Sequence, residues 1–84
     1  MSGLIRIDDA TRLGPALGDI RTMLGYSRHA LAHEIAAATG RDTKSISNQL
    51  IEWENAQNSP TVRKLGPLLD ALGYQLALVP RENA

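Results

Sequence analysis

The sequence predicts an all-α domain of four to five helices with a short β-strand at its C-terminal end. Apolar residues recur at intervals of three and four, as one face of a helix requires. The first segment of this kind contains Leu13, Leu17, Ile20 and Leu24. A glycine, Gly40, separates two further helical segments, and near the end of the chain the period changes to two. With 84 residues we expect one domain, 1–84, with its helical core at 13–73.

Composition narrows the class of protein. The chain contains no cysteine, which excludes disulfides and thiolate metal sites. It has no stretch near the ~18 apolar residues that a membrane-spanning helix needs, and no secretory leader. We therefore expect a soluble, cytoplasmic protein that does not enter a membrane. A chain this short buries a modest core, so self-association is a natural supplement.

The first half of the chain contains two helices. The apolar run at about 4–7 is a candidate for a second, N-terminal strand. Helix 1 is expected from near Pro15, because proline is tolerated in a first helical turn, to Gly25. Ser27 is a suitable N-cap for helix 2, which we expect to end at about Thr39.

Helix 3 follows a tight turn. Gly40 suits the left-handed residue that closes helix 2, and Asp42 or Thr43 caps the next helix. We expect helix 3 from about Thr43 to Glu54, and its core face contains Ile46, Leu50 and Trp53. A glycine-containing turn between two such helices is the helix-turn-helix pattern, whose second helix enters the DNA major groove.

The C-terminal third contains helix 4 and the strand. A Ser-Pro pair at 59–60 is a cap and first position for helix 4. A Gly-Pro pair at 66–67 predicts a break, with a second helical piece at 67–72 that Gly73 ends. The alternating run at 74–79 is expected to form a strand that proline terminates.

A lone strand leaves its backbone groups without partners. The predicted strand must therefore pair with the N-terminal run of the same chain, with the same strand of a second chain, or with both. On one side of this strand, where we expect a homodimer to form, lie Tyr74, Leu76 and Leu78.

The polar side of helix 3 and the turn before it contain the candidate base contacts. These residues are Arg41, Thr43, Lys44, Ser45, Ser47, Asn48 and Gln49. Asparagine and glutamine side chains can bond adenine with two hydrogen bonds, and lysine can reach guanine or a phosphate. The alternative is an ordinary solvated helix face, which residue types alone would favour. The surrounding helix-turn-helix pattern favours DNA contact.

The chain also resembles the Cro/phage-repressor, or Xre-type, helix-turn-helix family over about 13–73. The residues that carry the resemblance are Ser-Arg-His-Ala-Leu-Ala at 27–32, Gly40 with Ile46 six residues on, Trp-Glu-Asn-Ala-Gln-Asn-Ser-Pro at 53–60, and the tail 65–73. The family spacing from the Leu-Ala pair to the glycine is four residues shorter, and so is its spacing from isoleucine to tryptophan. Both helices of the motif are therefore about one turn longer here.

The resemblance implies roles for residues outside helix 3. Arg21 matches the arginine that pairs with the glutamate after the tryptophan, here Glu54. Arg28 stands where the family has a phosphate-binding glutamine, and the loop residues Asn55 and Asn58 are further candidates for phosphate contact. An ordinary turn is the alternative interpretation of that loop. The C-terminal strand is similar to that of the HipB-like antitoxin and regulator subgroup, in which it helps make the dimer.

These observations predict a DNA-binding transcriptional regulator, a repressor that acts as a homodimer on a palindromic operator. The net charge of zero counts against a strong non-specific binder, but not against a specific one. The main alternative is an antitoxin that binds a toxin protein and regulates its own promoter, and a weaker one is a protein-only interaction module. We expect no enzyme and no cofactor. Nor do we expect a metal, because His29 and His33 have no third ligand marked by spacing.

Overall fold

The structure, a computed structural model, describes residues 5–7, 9–78 and 80. A short 3₁₀ turn, Ala10–Arg12, leads into four α-helices. These helices are α1 (Leu13–Met23), α2 (Arg28–Thr39), α3 (Thr43–Glu54) and α4 (Val62–Leu72). The remaining described residues form turns and irregular segments. The all-helical fold class is thus confirmed for this part of the chain.

One apolar core joins the four helices. Its buried members are Leu17 and Ile20 from α1, Leu31, Ala32 and Ile35 from α2, Ile46, Leu50 and Trp53 from α3, and Leu65, Leu68, Leu69 and Leu72 from α4. The predicted faces of α1 and α3 are therefore correct, with one exception. Leu24 is exposed, because α1 ends at Met23 and Leu24 is its C-cap.

The predicted ends of α2 and α3 are confirmed. The Ser27 hydroxyl accepts a hydrogen bond from the Ala30 amide at 3.0 Å, and Asp42 Oδ2 accepts one from the Ser45 amide at 2.9 Å. Gly40 has a φ of 75°, the left-handed conformation that closes α2 at low steric cost. Each cap satisfies an amide that the first helical turn leaves without an internal partner.

Helix α1 begins two residues before the predicted start at Pro15. Pro15 is the third residue of α1, where a backbone N–H would have no partner within the helix, so proline removes no hydrogen bond there. Helix α4 also begins differently. Its N-cap is Thr61, whose hydroxyl accepts from the Lys64 amide at 3.3 Å, and the Ser-Pro pair at 59–60 lies before it.

The predicted break at Gly66-Pro67 is wrong, because α4 continues through both residues. Proline disfavours the helical conformation of its predecessor partly by contact with that residue's Cβ, and Gly66 has none. Four buried leucines on one face, Leu65, Leu68, Leu69 and Leu72, tie the two halves of α4 to the same core. Their burial outweighs the hydrogen bond that Pro67 cannot donate.

No strand forms within residues 5–7 or 74–78, so the predicted intrachain pairing of the two ends is absent there. Leu4 and Val79 lie outside the described residues. Tyr74 packs partly on the core, and its amide donates to the Leu69 carbonyl at 2.9 Å. Beyond it, Leu76 and Leu78 are exposed. An extended segment needs a partner strand for its ladder, and pairing with a second chain stays a prediction.

Candidate nucleic-acid interface

Helix α3 has a buried apolar face and an exposed face, which is polar in its first half and includes the exposed Ile51 further along. Ile46, Leu50 and Trp53 point into the core, whereas Lys44 and Asn48 are exposed and lie one turn apart on the other side. The remaining predicted contacts on α3 differ in accessibility. Ser45 is exposed, and Thr43, Ser47 and Gln49 are half-buried at the edges of the polar face.

Two of the candidate side chains, Arg41 and Gln49, form a hydrogen bond with each other. Arg41 donates from Nη2 to Oε1 of Gln49 at 2.8 Å, which joins the turn before α3 to the second turn of that helix. Both residues are half-buried. Ser45, in contrast, is occupied locally, because its hydroxyl lies 3.2 Å from the Asp42 carboxylate that also caps α3. Arg41 is therefore ordered beside the polar face, and Ser45 serves the cap.

Helices α2 and α3 pack against each other. Residues 40–42 join them at one end, and the two helices are twelve residues long. At the other end the Nε of Arg28, the first residue of α2, donates to Oε1 of Glu54, the last residue of α3, at 2.9 Å. The predicted phosphate contact Arg28 is thus tied to the end of α3, with 41% of its side chain exposed.

Glu54 is the centre of a half-buried ionic cluster. Arg21 donates from Nε to Oε2 at 2.7 Å and from Nη2 to Oε1 at 2.9 Å, so the contact expected between these residues forms. Its Nη1 donates to the Tyr26 carbonyl at 2.7 Å. The hydrogen bonds to Glu54 raise the pKa of Arg21 above its ordinary value. The cluster therefore fixes α1, α2 and α3 relative to one another through one carboxylate.

Two glycines that sequence reasoning did not identify as packing residues make this cluster possible. A Cβ at Gly18 would lie 2.9 Å from Cγ of Glu54, and a Cβ at Gly14 would lie 2.7 Å from the carbonyl carbon of Trp53. Both glycines are buried on α1, four residues apart and hence on one face. Because helix 1 was expected to start only near Pro15, Gly14 lay outside the predicted helix, and the four-residue spacing of the two glycines gave no signal of close helix packing.

The loop after α3 contributes side chains at a second location. Asn55 is the C-cap of α3 and is exposed, and Asn58 donates from Nδ2 to Oε1 of Glu52 at 2.9 Å. Ala56 has a φ of 59°, an uncommon conformation for a residue with a side chain. Because ten residues of helix span ~15 Å, Arg28 and Asn55 lie well away from Lys44. The candidate contacts thus form two groups, one at each end of α3.

A metal site receives no support from the histidines. The rings of His29 and His33 stack on α2 with their centroids 6.5 Å apart. Within residues 5–7, 9–78 and 80, no group of three or more His, Cys, Asp or Glu side chains could hold a metal ion. Over the same residues, no helix is long and apolar enough to cross a membrane.

Comparison with known proteins identifies neither a family nor a function for this chain. No family model matches the chain, and no curated protein and no solved structure is similar to it at the level required for a match. The likeness to the Xre-type family rests on the residues quoted above. The function must therefore be argued from the geometry and chemistry of α2, α3 and their connecting turn.

Proposed function

We propose that this protein binds specific DNA sequences through α2 and α3, which act as a helix-turn-helix unit, and represses transcription as a homodimer. The observation that carries the proposal is the exposed polar first half of α3, where Lys44 and Asn48 stand opposite the buried Ile46 and Leu50. A helix in this position can enter the major groove without uncovering the core.

Base recognition is assigned to the first half of α3. The amide of Asn48 can bond N6 and N7 of adenine, and the ammonium group of Lys44 can donate to guanine or to a phosphate. Arg41 adds a guanidinium group beside them, held by Gln49. The second half of α3 is joined to α2 by the Arg28–Glu54 bond. Base contacts are accordingly expected from the first two turns of α3.

Phosphate contacts are assigned to Arg28 and to the loop that contains Asn55 and Asn58. Contacts of this kind fix the register of a protein on the duplex without reading its sequence. Asn58 already donates to Glu52, and the backbone amides of 55–58 donate to carbonyls of α3, so the side chain of Asn55 is the more available donor. A net charge of zero makes each chain a weak electrostatic binder, and two chains double the number of phosphate contacts.

A homodimer would place two copies of α3 about one DNA turn, ~34 Å, apart on a palindromic operator. The C-terminal segment is the proposed contact between chains, because Leu76 and Leu78 are exposed and their backbone forms no strand within the chain. We place the protein in the cytoplasm, where its operator would be found.

The test is a binding titration against duplexes from the chain's own upstream region and against scrambled duplexes, over a salt series. Lys44→Ala and Asn48→Ala should each weaken specific binding by ~1–3 kcal/mol and relax the preference at one base pair. Arg12→Ala is the matched charge control, because Arg12 is an exposed arginine at the N-cap of α1 to which no DNA contact is assigned. Unchanged specific affinity in both α3 variants would refute α3 as the reading helix.

A second candidate function is that of an antitoxin, which binds a toxin protein and regulates its own promoter. The exposed apolar side chains of Leu76 and Leu78 favour it, because such a segment suits a protein partner as well as a second copy of this chain. Co-expression with the product of the adjacent gene, followed by purification, separates the two functions. A stoichiometric complex that relieves toxicity would establish the antitoxin.

A further inference from the structure

The two arginines on Glu54 use their donors differently. Arg21 uses all three guanidinium nitrogens, two on Glu54 and one on the Tyr26 carbonyl. Arg28 uses only Nε, at 2.9 Å from Glu54 Oε1, and its side chain is 41% exposed. One carboxylate cannot neutralise two guanidinium groups, so the cluster keeps one positive charge. The Nη groups of Arg28 are its remaining donors.

We infer that Glu54 is a positioning residue that holds Arg28 by Nε and presents its two Nη groups as a preformed donor pair for a phosphate of the DNA backbone. The inference rests on the proposed DNA binding and deepens it, because it assigns the atoms of one phosphate contact and the residue that orients them. A planar guanidinium group matches a phosphate with two parallel hydrogen bonds. Holding the side chain in advance reduces the ordering cost of binding.

Glu54 is suited to this role because it is itself fixed. Its side chain is only 8% exposed, and Arg21 bonds both of its oxygens. Gly18 gives it room, since a Cβ there would lie 2.9 Å from Cγ of Glu54. The carboxylate thus has a defined place between α1 and α3. A single hydrogen bond from Nε to this carboxylate then positions the side chain of Arg28.

The direction in which Glu54→Gln changes DNA affinity distinguishes a positioning role of Glu54 from a simple charge effect. Glu54 is a negative charge beside the inferred phosphate site. If charge alone mattered, Glu54→Gln would strengthen DNA binding, because it removes a repulsion. If Glu54 positions Arg28, the same substitution weakens binding, because the neutral amide oxygen of glutamine holds Arg28 Nε less strongly than the carboxylate does, and part of the ordering of Arg28 must then occur when the phosphate binds. The two accounts therefore predict opposite changes in affinity.

The experiment is a salt-series titration of a fluorescein-labelled duplex of mixed sequence with wild type, Arg28→Ala, Glu54→Gln and the double variant. We expect Arg28→Ala to bind about tenfold more weakly, as for one lost charge-assisted hydrogen bond, with a log–log salt slope shallower by about 0.9. Glu54→Gln should also lower the affinity, with the salt slope of wild type because Arg28 still reaches the phosphate, and should weaken binding no further once Arg28 is alanine. Arg12→Ala controls for the loss of an arginine charge that is assigned to no phosphate contact.

Glu54→Gln also perturbs the Arg21 contact, so folding is checked by circular dichroism, and Arg28→Lys provides a second route. Lysine keeps the charge but lacks both the Nε donor and the planar fork. It should bind nearly as weakly as Arg28→Ala, and wild-type affinity in Arg28→Lys would overturn the inference. A ¹⁵N NMR spectrum should show the Arg28 Nε–H signal in wild type without DNA, and the signal should be weaker in Glu54→Gln, whose neutral amide oxygen is the weaker acceptor.

The outcomes distinguish the two proposals. Two results would overturn the positioning role alone, provided that the wild-type protein binds DNA. The first is tighter binding by Glu54→Gln. The second is a loss of affinity on Glu54→Gln that is equally large whether residue 28 is arginine or alanine. No wild-type binding to any duplex at low salt overturns the proposed function and the phosphate contact with it. In that case the NMR signal still reports whether Glu54 holds Arg28, which would then be a structural contact only.

Discussion

Replacing Gly14 with alanine tests how closely α1 approaches α3. A Cβ at this position would lie 2.7 Å from the carbonyl carbon of Trp53 and closer still to its oxygen, whereas ordinary contacts begin at 3.4 Å. The obstacle is the backbone of a neighbouring helix, so no side chain can rotate to relieve it. The two helices must move apart by about 0.7 Å or more, which loosens the packing around Trp53.

The expected magnitude follows from two opposing effects. Gly→Ala in an uncrowded helix stabilises by about 1 kcal/mol. Overpacking costs about 1–3 kcal/mol, and a rigid backbone neighbour places Gly14→Ala at the upper end of that range. The net loss is then about 2 kcal/mol in the free energy of unfolding. For a domain of this size that lowers the melting temperature by about 8–16 °C.

The assay is thermal and urea unfolding followed by far-ultraviolet circular dichroism. Asp19→Ala is the control, because Asp19 is exposed on the same helix and alanine is the better helix former. Its melting temperature should equal or slightly exceed that of wild type. If Gly14→Ala melts at or above the wild-type temperature with an unchanged m-value, α1 does not lie in close contact with the backbone of Trp53.

Three further predictions concern the ionic cluster, a tyrosine and the C-terminal segment. Arg21→Ala should lower the free energy of unfolding by about 3 kcal/mol. This is the lower end of the range for a broken buried ion pair, because Arg28 still contacts Glu54. A melting temperature equal to that of wild type would contradict this prediction. The neighbouring Glu34 carboxylate, as a hydrogen-bond acceptor and a negative charge, raises the pKa of Tyr26 above its ordinary value, so Glu34→Gln should lower that pKa, and an unchanged pKa in ultraviolet titration would contradict this. Truncation after Gly73 should yield a monomer that binds only a half-site, and a full-affinity dimer in light scattering would instead assign the interface to the helices.

The sequence by itself determined the four helices and most of their ends. The capping residues Ser27 and Asp42 and the left-handed Gly40 act through neighbours only a few residues away, so their effect can be read locally. The apolar intervals on α3 likewise identified its buried face, because periodicity depends on helix geometry alone. The polar face of α3, which carries the functional proposal, follows from that same periodicity.

Only the tertiary structure decided how the helices meet and whether local exceptions were tolerated. A proline inside α4 looked like a break, yet burial of four leucines on one face kept that helix continuous. The third member of the Glu54 cluster, Arg28, is twenty-six residues distant in sequence, and no local pattern brings it there. From the sequence, Gly14 is only a weak helix former near the start of a helix, and its close contact with the backbone of Trp53 is evident only in the folded structure. Such features depend on contacts between distant segments, which form only when the whole core packs.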